Sequence, residues 1–226
     1  VELAIDTSSN IAVVALSEHG MPVAELSWRS VHNHTVELMP SIEILLKRAG
    51  VGYDVLRGIT VALGPGSFNG LRVGISVAKG LALALSAPLV GVSTLEVEAY
   101  PFAFTGLPIC PVHQSGRGAV AVALFRQDGH GWRRLLEEQL MTVDALLRMT
   151  AETTIFCGDG VDMIEAELRQ ALCGKAIVPP PAVRARRASV LAEIGWRRLS
   201  AGESDNIASL QPIYLRPPHI TQSRRK

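Results

Sequence analysis

The order of strand-like and helix-like stretches constrains this chain more than any single residue, because that order selects among the few layered architectures a core can adopt. The first residues, "VELAIDTSSNIAVVALSEHGMPVAELSW", hold three strand-like runs with short turns at Ser8 to Asn10 and at His19 to Met21. A helical pattern opens at Thr35 and Glu37, carries Leu38, Ile42, Leu45 and Leu46 on one face, and stops at Gly50. A strand over Ile59 to Leu63, a glycine-rich loop, a long helix from about Gly70 to Ser86 and a strand over Leu89 to Val92 complete this half. After Pro101 the pattern restarts more weakly, with strands at Ile109 to Val112, Ala119 to Phe125 and Thr154 to Cys157 and helices at Val143 to Met149 and Val161 to Leu172. The "PPP" at 179 to 181 predicts a rigid connector, and Ala188 to Leu199 a last helix. Pro212, Pro217 and Pro218 keep "SLQPIYLRPPHI" extended. Strands first and helices interleaved afterwards, twice over, predict an α/β protein of two lobes with mixed sheets. The boundary falls near residue 100, giving lobes 1–100 and 101–226, with the extreme C-terminal segment free to return to the first.

Composition excludes several classes. With 48% hydrophobic and 19% charged residues the chain has the makings of an ordinary core. A net charge of +1 gives no general attraction to nucleic acid or anionic membrane. The basic clusters Arg184, Arg186 and Arg187, and Arg224, Arg225 and Lys226, read as a solvated face and a frayed end. Cys110, Cys157 and Cys173 lie far apart without a C-x-x-C pair, so they suggest reduced, cytoplasmic thiols rather than a disulfide framework or a zinc site. The apolar region Leu71 to Val92 contains Arg72, Lys79 and Pro88 and is not read as a membrane span, nor is the stretch from Val1 read as a signal peptide.

Two stretches could carry chemistry. Asp6 ends a strand and is followed by Thr7, Ser8 and Ser9, a set that can hold magnesium or cup a phosphate, or simply satisfy its own turn. The loop "GPGSFNGLRVG" at 64 to 74 feeds a helix, so the backbone N–H groups near Gly64, Gly66 and Ser67 suit an anion. It is neither a Walker A loop nor a G-x-G-x-x-G fingerprint. The helix that follows carries a ridge of small residues, Gly70, Gly74, Ala78, Ala82 and Ser86, while Leu71, Val73, Ile75, Val77, Leu81, Leu83 and Leu85 make the rest apolar. Such a helix is either buried in its own lobe or shared with a partner. His32 and His34 read as solvated histidines, and no nucleophile, base and orienting acid stand out for hydrolysis.

The motifs "LAIDTSS", "GPGSFNGLRVGISVAKGLA", "PLVGVSTLE" and "PIYLR" together resemble the TsaB (YeaZ) family across most of the chain. The resemblance implies a duplicated actin/Hsp70-like (ASKHA) fold and a part in making threonylcarbamoyladenosine in tRNA, at the adenosine beside the anticodon. It implies a TsaD-like transferase as catalytic partner, a TsaE-like ATPase as a third member, and tRNA reached indirectly through the complex. A homodimer when the partner is absent stays open. In transferase-type relatives an H-x-x-x-H pair after the glycine-loop helix binds the metal. Here those positions are Thr94 and Glu98, so the resemblance implies a catalytically silent subunit with no metal and no tightly bound cofactor, leaving ATP to the interface of the complex; the alternative is an enzyme, either a nucleotide-hydrolysing ASKHA protein using Asp6 and the Gly64 to Gly70 loop or a peptidase. The partner interface is expected on the helix, at Gly70, Leu71, Val73, Gly74, Val77, Ala78, Leu81 and Ala82, and the nucleotide-facing group at Asp6, Thr7, Ser8, Gly64, Gly66 and Ser67. Two departures stand out. Asn69 replaces the family's Thr, and residues 114 to 121, "QSGRGAVA", keep Arg117, Gly118 and Val120 but lose the acidic residues and Tyr of the family's Asp-Ala-Arg-Arg-Gly-Glu-Val-Tyr segment.

Overall fold

Three strands open the structure, a computed structural model that describes residues 1–31, 33–116 and 118–215. His32, Arg117, Pro217, Pro218, Arg224, Arg225 and Lys226 lie outside the described residues. Strand β1 (Glu2–Asp6) is buried along its length, β2 (Ile11–Glu18) is buried between its ends, and β3 (Met21–Arg29) alternates exposed and half-buried positions as an edge strand does. The helix α1 (His34–Ala49) buries Leu38, Ile42, Leu45 and Leu46 and ends at Gly50 in the left-handed region. Strand β4 (Gly58–Gly64), helix α2 (Phe68–Leu85) and strand β5 (Leu89–Ser93) follow. The sheet order is β3-β2-β1-β4-β5, antiparallel through β1 and parallel from β1 to β5.

A short helix, α3 (Thr94–Ala99), and a 3-10 turn over Tyr100–Thr105 lead to the second lobe. There β6 (Ile109–Gln114), β7 (Ala119–Asp128) and β8 (Gly131–Thr142) form the meander, and α4 (Val143–Met149), β9 (Thr154–Cys157), α5 (Glu165–Leu172) and β10 (Ala176–Ile177) complete it. Read from β8, the order β8-β7-β6-β9-β10 repeats the first sheet strand for strand, with the same parallel and antiparallel pairings. The fold is therefore one unit used twice. Strand β8 and helix α3 escaped the sequence reading: "RRLLEEQL" lacks clean alternation because an exposed edge strand tolerates charge on both faces, and α3 is barely longer than one turn.

Each sheet is covered on both faces. Leu3, Ile5, Leu16, Val61 and Leu89 pack against α1 and α2, while Ala4, Val13, Ala15, Val90 and Val92 pack against α7 (Ala188–Ser200) on the other side. In the second sheet Val112, Val122 and Phe156 meet α4 and α5, and Ile109, Ala123, Phe125 and Ile155 meet α3. The helices after β5 and β10 thus cross over: α3 packs on the second sheet, and the chain passes α6 (Pro181–Arg184) to bring α7 back to the first. Leu210 then joins the first-lobe core, and the Ile213 N–H donates to Leu63 O at 2.8 Å. A division at residue 100 separates the sheets but not these helices.

By length and composition α2 could cross a membrane. One of its faces, with Gly70, Leu71, Gly74, Ile75, Ala78 and Ala82, is instead buried in its own lobe. This corrects the expected partner ridge. A Cβ on Gly70 would stand 2.1 Å from Thr7 O, and one on Gly74 would stand 2.3 Å from Thr7 Oγ1. The group that approaches this glycine-rich backbone is the turn after β1. Val73, Val77 and Leu81 stay half-buried at the rim, and Leu83 is exposed.

Candidate functional site

The repeated topology aims equivalent loops from both lobes at one cleft. From the first lobe come the turn after β1, Asp6 to Asn10, and the loop after β4, Gly64 to Ser67; from the second come His113 and Gln114 at the end of β6 and the turn Gly158 to Gly160 after β9. A cavity of about 450 Å³ lies between them, lined by Ser8, Ser9, Asn10, Ser67, His113 and Asp159 among others.

The first-lobe half is internally bonded. Asp6 Oδ1 accepts from Ser8 N at 2.8 Å and from Ser8 Oγ at 2.5 Å. Thr7 Oγ1 donates to Gly70 O at 2.7 Å, and Ser67, which caps α2 and starts it two residues before the expected Gly70, accepts from Gly70 N at 3.3 Å. A Cβ on Gly66 would stand 2.3 Å from Ser8 O. The structure thus brings Asp6, Thr7, Ser8, Gly64, Gly66 and Ser67 together, and the hydroxyls of Thr7 and Ser8 are spent on the protein's own groups. His34, expected in solvent, is buried with Nε2 3.0 Å from Ser9 O.

The second-lobe half supplies charge. Arg186, on the connector between α6 and α7, inserts its guanidinium into the base of the cleft with its side chain 9% exposed. It donates from Nη1 to Ser8 Oγ at 2.6 Å and from Nη2 to Glu98 Oε1, and Nη2 stands 3.6 Å from Asp159 Oδ2. Its Nε is 3.7 Å from Asp6 Oδ2, close enough for charge attraction but too far for a hydrogen bond, and neither atom has a hydrogen-bond partner among the described residues. His113 Nδ1 lies 2.8 Å from Asp159 Oδ1. Arg184 is fixed beside this network by Pro179 O, Gly158 O and Asp162. The reading of Arg184 and Arg186 as a solvated face is therefore corrected, because one acid or backbone partner after another pulls these guanidiniums inward.

Burial pushes the Glu98 carboxyl up, against the pull of Arg186. The Arg186 guanidinium is likewise held firmly in its charged form: burial opposes the charge, and Glu98, Asp6 and Asp159 outweigh that cost. Burial also opposes charge on His113, yet the hydrogen bond and charge of Asp159 raise it above the ordinary imidazole value. Asp159 loses from burial too, and His113 brings it below the usual carboxylate range.

A second brace joins the lobes on the far side. Glu96, buried on α3, accepts from Arg198 of α7 at 2.7 Å and from Trp132 of β8 at 3.3 Å, with Arg134 at 3.5 Å. The cavity of about 420 Å³ beside it is floored by stacked Phe125 and Trp132 and edged by Tyr100, whose hydroxyl is pushed up to about 12 by burial and Glu193.

The model of the family TsaD, tRNA N6-adenosine threonylcarbamoyltransferase, matches residues 29–221. The tRNA threonylcarbamoyladenosine biosynthesis protein TsaB of Bacillus subtilis is 31% identical over 218 residues, covering 95% of this chain and 93% of its own. The chain belongs to the TsaB family. Among solved structures, a Pseudomonas aeruginosa protein described as similar to peptidase YeaZ superposes with a TM-score of 0.78 at 23% identity, covering 95% of this chain and 99% of its own. The (R)-2-hydroxyglutaryl-CoA dehydratase component A of Acidaminococcus fermentans matches with a TM-score of 0.51 at 11% identity, covering 88% of this chain and 98% of its own. The two lobes form the duplicated actin/Hsp70-like (ASKHA) fold.

Within this TsaB-family chain, Thr94 and Glu98 stand where the resemblance implies metal-binding histidines. Both are buried on α3, and Thr94 Oγ1 and Glu98 Oε2 have no hydrogen-bond partner among the described residues. The donor set does not fit the transferase-type metal: a threonine hydroxyl is a poor ligand, and the Arg186 cation already holds the glutamate. His113, Asp159 and Arg186 escaped the sequence reading. The signal for Asp159 was "GDG" at 158 to 160, which sits after β9 as "GPG" at 64 to 66 sits after β4. Arg186 had no local signal, since its partners lie 88 and 178 positions away.

Proposed function

We propose that this TsaB-family chain is a non-catalytic subunit in the synthesis of threonylcarbamoyladenosine in tRNA, supporting a TsaD-like transferase. Family membership supports the pathway, and the observation that carries the non-catalytic reading is the Arg186 guanidinium bonded to Glu98 and Ser8 at the base of the cleft. A cleft whose acids and hydroxyls already answer one another has little left for a metal-bound donor.

The partner surface in this reading is the outer face of α1 and α2. Val36, Ile44 and Leu83 are exposed there, and Val73, Val77 and Leu81 lie half-buried beside them. Apolar side chains on neighbouring helices are what a helical partner buries. The buried Gly70, Gly74, Ala78 and Ala82 serve this surface by letting α2 sit close to its sheet. A TsaE-like ATPase joins the pair, tRNA is met through the complex, and the work belongs to the cytoplasm, where tRNA is.

The test is reconstitution with a TsaD-like transferase, tRNA and a threonylcarbamoyl donor. The chain alone should form no modified adenosine, and adding it should raise the transferase's rate at least about tenfold, roughly 1.4 kcal/mol of barrier. Modification by the chain alone, or a transferase indifferent to its presence, would sink the proposal.

A further inference from the structure

The cleft holds a cluster suited to a divalent cation. Glu98, His113 and Asp159 each offer a ligand atom, and these atoms lie within 4.8 Å of one another. A cluster of acids is common on protein surfaces, but this one has a second mark. Among the described residues Glu98 Oε2 and Asp6 Oδ2 have no hydrogen-bond partner, and their side chains are 2% and 1% exposed. Buried carboxylate oxygens demand a positive partner.

That partner is present in the chain. We propose that Arg186 is the resident cation of this site, and that Glu98, His113 and Asp159 form a latent divalent-metal site which opens to an ion only when the guanidinium is withdrawn. The inference deepens the non-catalytic reading above and rests on it for its meaning.

Three features carry it. First, Arg186 reaches acids of both lobes at once, Asp6 after β1 and Asp159 after β9, together with Glu98 of α3 between them. A metal bound by the same oxygens would share this small volume with a fixed positive charge, and the two repel strongly where water is sparse. Second, a guanidinium cannot escape by losing its proton, unlike a lysine, so the site is filled at every physiological pH. Third, the connector is anchored on both sides of Arg186. Arg184 binds Pro179 O at 2.7 Å and Asp162 at 2.7 Å, and Ala188 opens α7 fully buried. The geometry also accounts for two loose oxygens: a planar fork that satisfies Ser8 and Glu98 Oε1 leaves Asp6 Oδ2 at 3.7 Å and Glu98 Oε2 unmatched. Mixed carboxylate and imidazole donors suit Mn²⁺ or Zn²⁺ once the charge is gone.

The experiment titrates Mn²⁺ into the full chain and three variants, following free Mn²⁺ by its electron paramagnetic resonance signal and the His113 ring by NMR. The wild type should bind no Mn²⁺ in the cleft, leaving the His113 resonance unbroadened. Arg186→Ala and Arg186→Met should each bind one ion at least about tenfold more tightly than any site on the wild type, with His113 broadened. Adding Glu98→Gln to Arg186→Met should abolish that binding. Broadening of His113 in the wild type at the affinity of the variants would overturn the inference, as would folded variants that bind no ion. If either variant folds poorly by itself, Mn²⁺ should restore its circular dichroism, and failure to do so also overturns it. None of these readouts involves the transferase. Metal in the wild-type cleft would leave the stimulation assay untouched, and a transferase indifferent to the chain would leave the metal titration untouched.

Discussion

The two lobes share one strand order and divide the labour of the cleft. In the first, the loop after β4 is pressed against the turn after β1, with glycines where any side chain would meet backbone at 2.1 to 2.3 Å. In the second, the equivalent turn after β9 presents Asp159 to His113 and Arg186. Both repeats keep glycines pressed on backbone, Gly158 as close as 2.5 Å to Val112 O for an added Cβ, but only the second sets an acid, Asp159, between its glycines. A duplicated topology therefore conserves where loops point, while each repeat's residues decide what arrives there.

The largest expected effect tests the packing half. Gly70→Ala should destabilise the chain by about 3 kcal/mol or more, because its Cβ meets the backbone oxygen of Thr7, which cannot rotate away. In the second lobe Gly160→Ala should cost less, about 1 to 2 kcal/mol, since its Cβ meets Gln114 N at 2.8 Å and His113 C at 2.9 Å. Urea unfolding of both variants measures the difference, and equal losses would erase the contrast between the lobes.

A smaller effect concerns the outer faces. Leu83→Arg on α2 should weaken binding to a TsaD-like transferase about tenfold, near 1.4 kcal/mol, with the melting temperature unchanged, because Leu83 is 67% exposed. Met163→Arg, 60% exposed on the second lobe, should change neither quantity. A Met163 variant that binds as poorly as the Leu83 variant would place the partner elsewhere.

The smallest effect belongs to the charged half. His113 has its folded pKa raised by Asp159, so the pair's contribution is full below the ordinary imidazole value and is lost as pH rises through the raised one. Asp159 is depressed, so at the acid end the contribution present above the ordinary carboxylate value is lost as pH falls through the lowered one. Asp159→Asn should move the His113 titration down and flatten both limbs, a change in stability of about 1 kcal/mol or less given the exposure of Asp159. NMR titration of the His113 ring checks the first statement, and urea unfolding across pH the second.

Much of the fold was legible because hydrophobic periodicity reports local burial. The runs at Leu38 to Leu46 and Ile59 to Leu63 face a core and could be placed from their spacing. Strand β8 was not legible, since its charged edge answers to Glu96 and solvent rather than to a core. The site divides in the same way. Asp6 to Ser8 and Gly64 to Ser67 announce themselves as turns, whereas Arg186 acquires its role from Ser8 and Glu98, which only the completed fold brings to it.

The crossing of α7 has a consequence for how the chain is made. Leu191, Ala192 and Ile194 cover the first sheet, and Leu210 enters its core, yet all four follow the whole second lobe in sequence. On a ribosome the second lobe can collect its own strands and helices as they emerge, whereas the first waits with one sheet face uncovered until α7 is released. The lobe synthesised first is thus the lobe finished last, and a chain stopped before Ala188 leaves the apolar face of Ala4, Val13, Val90 and Val92 open to aggregation.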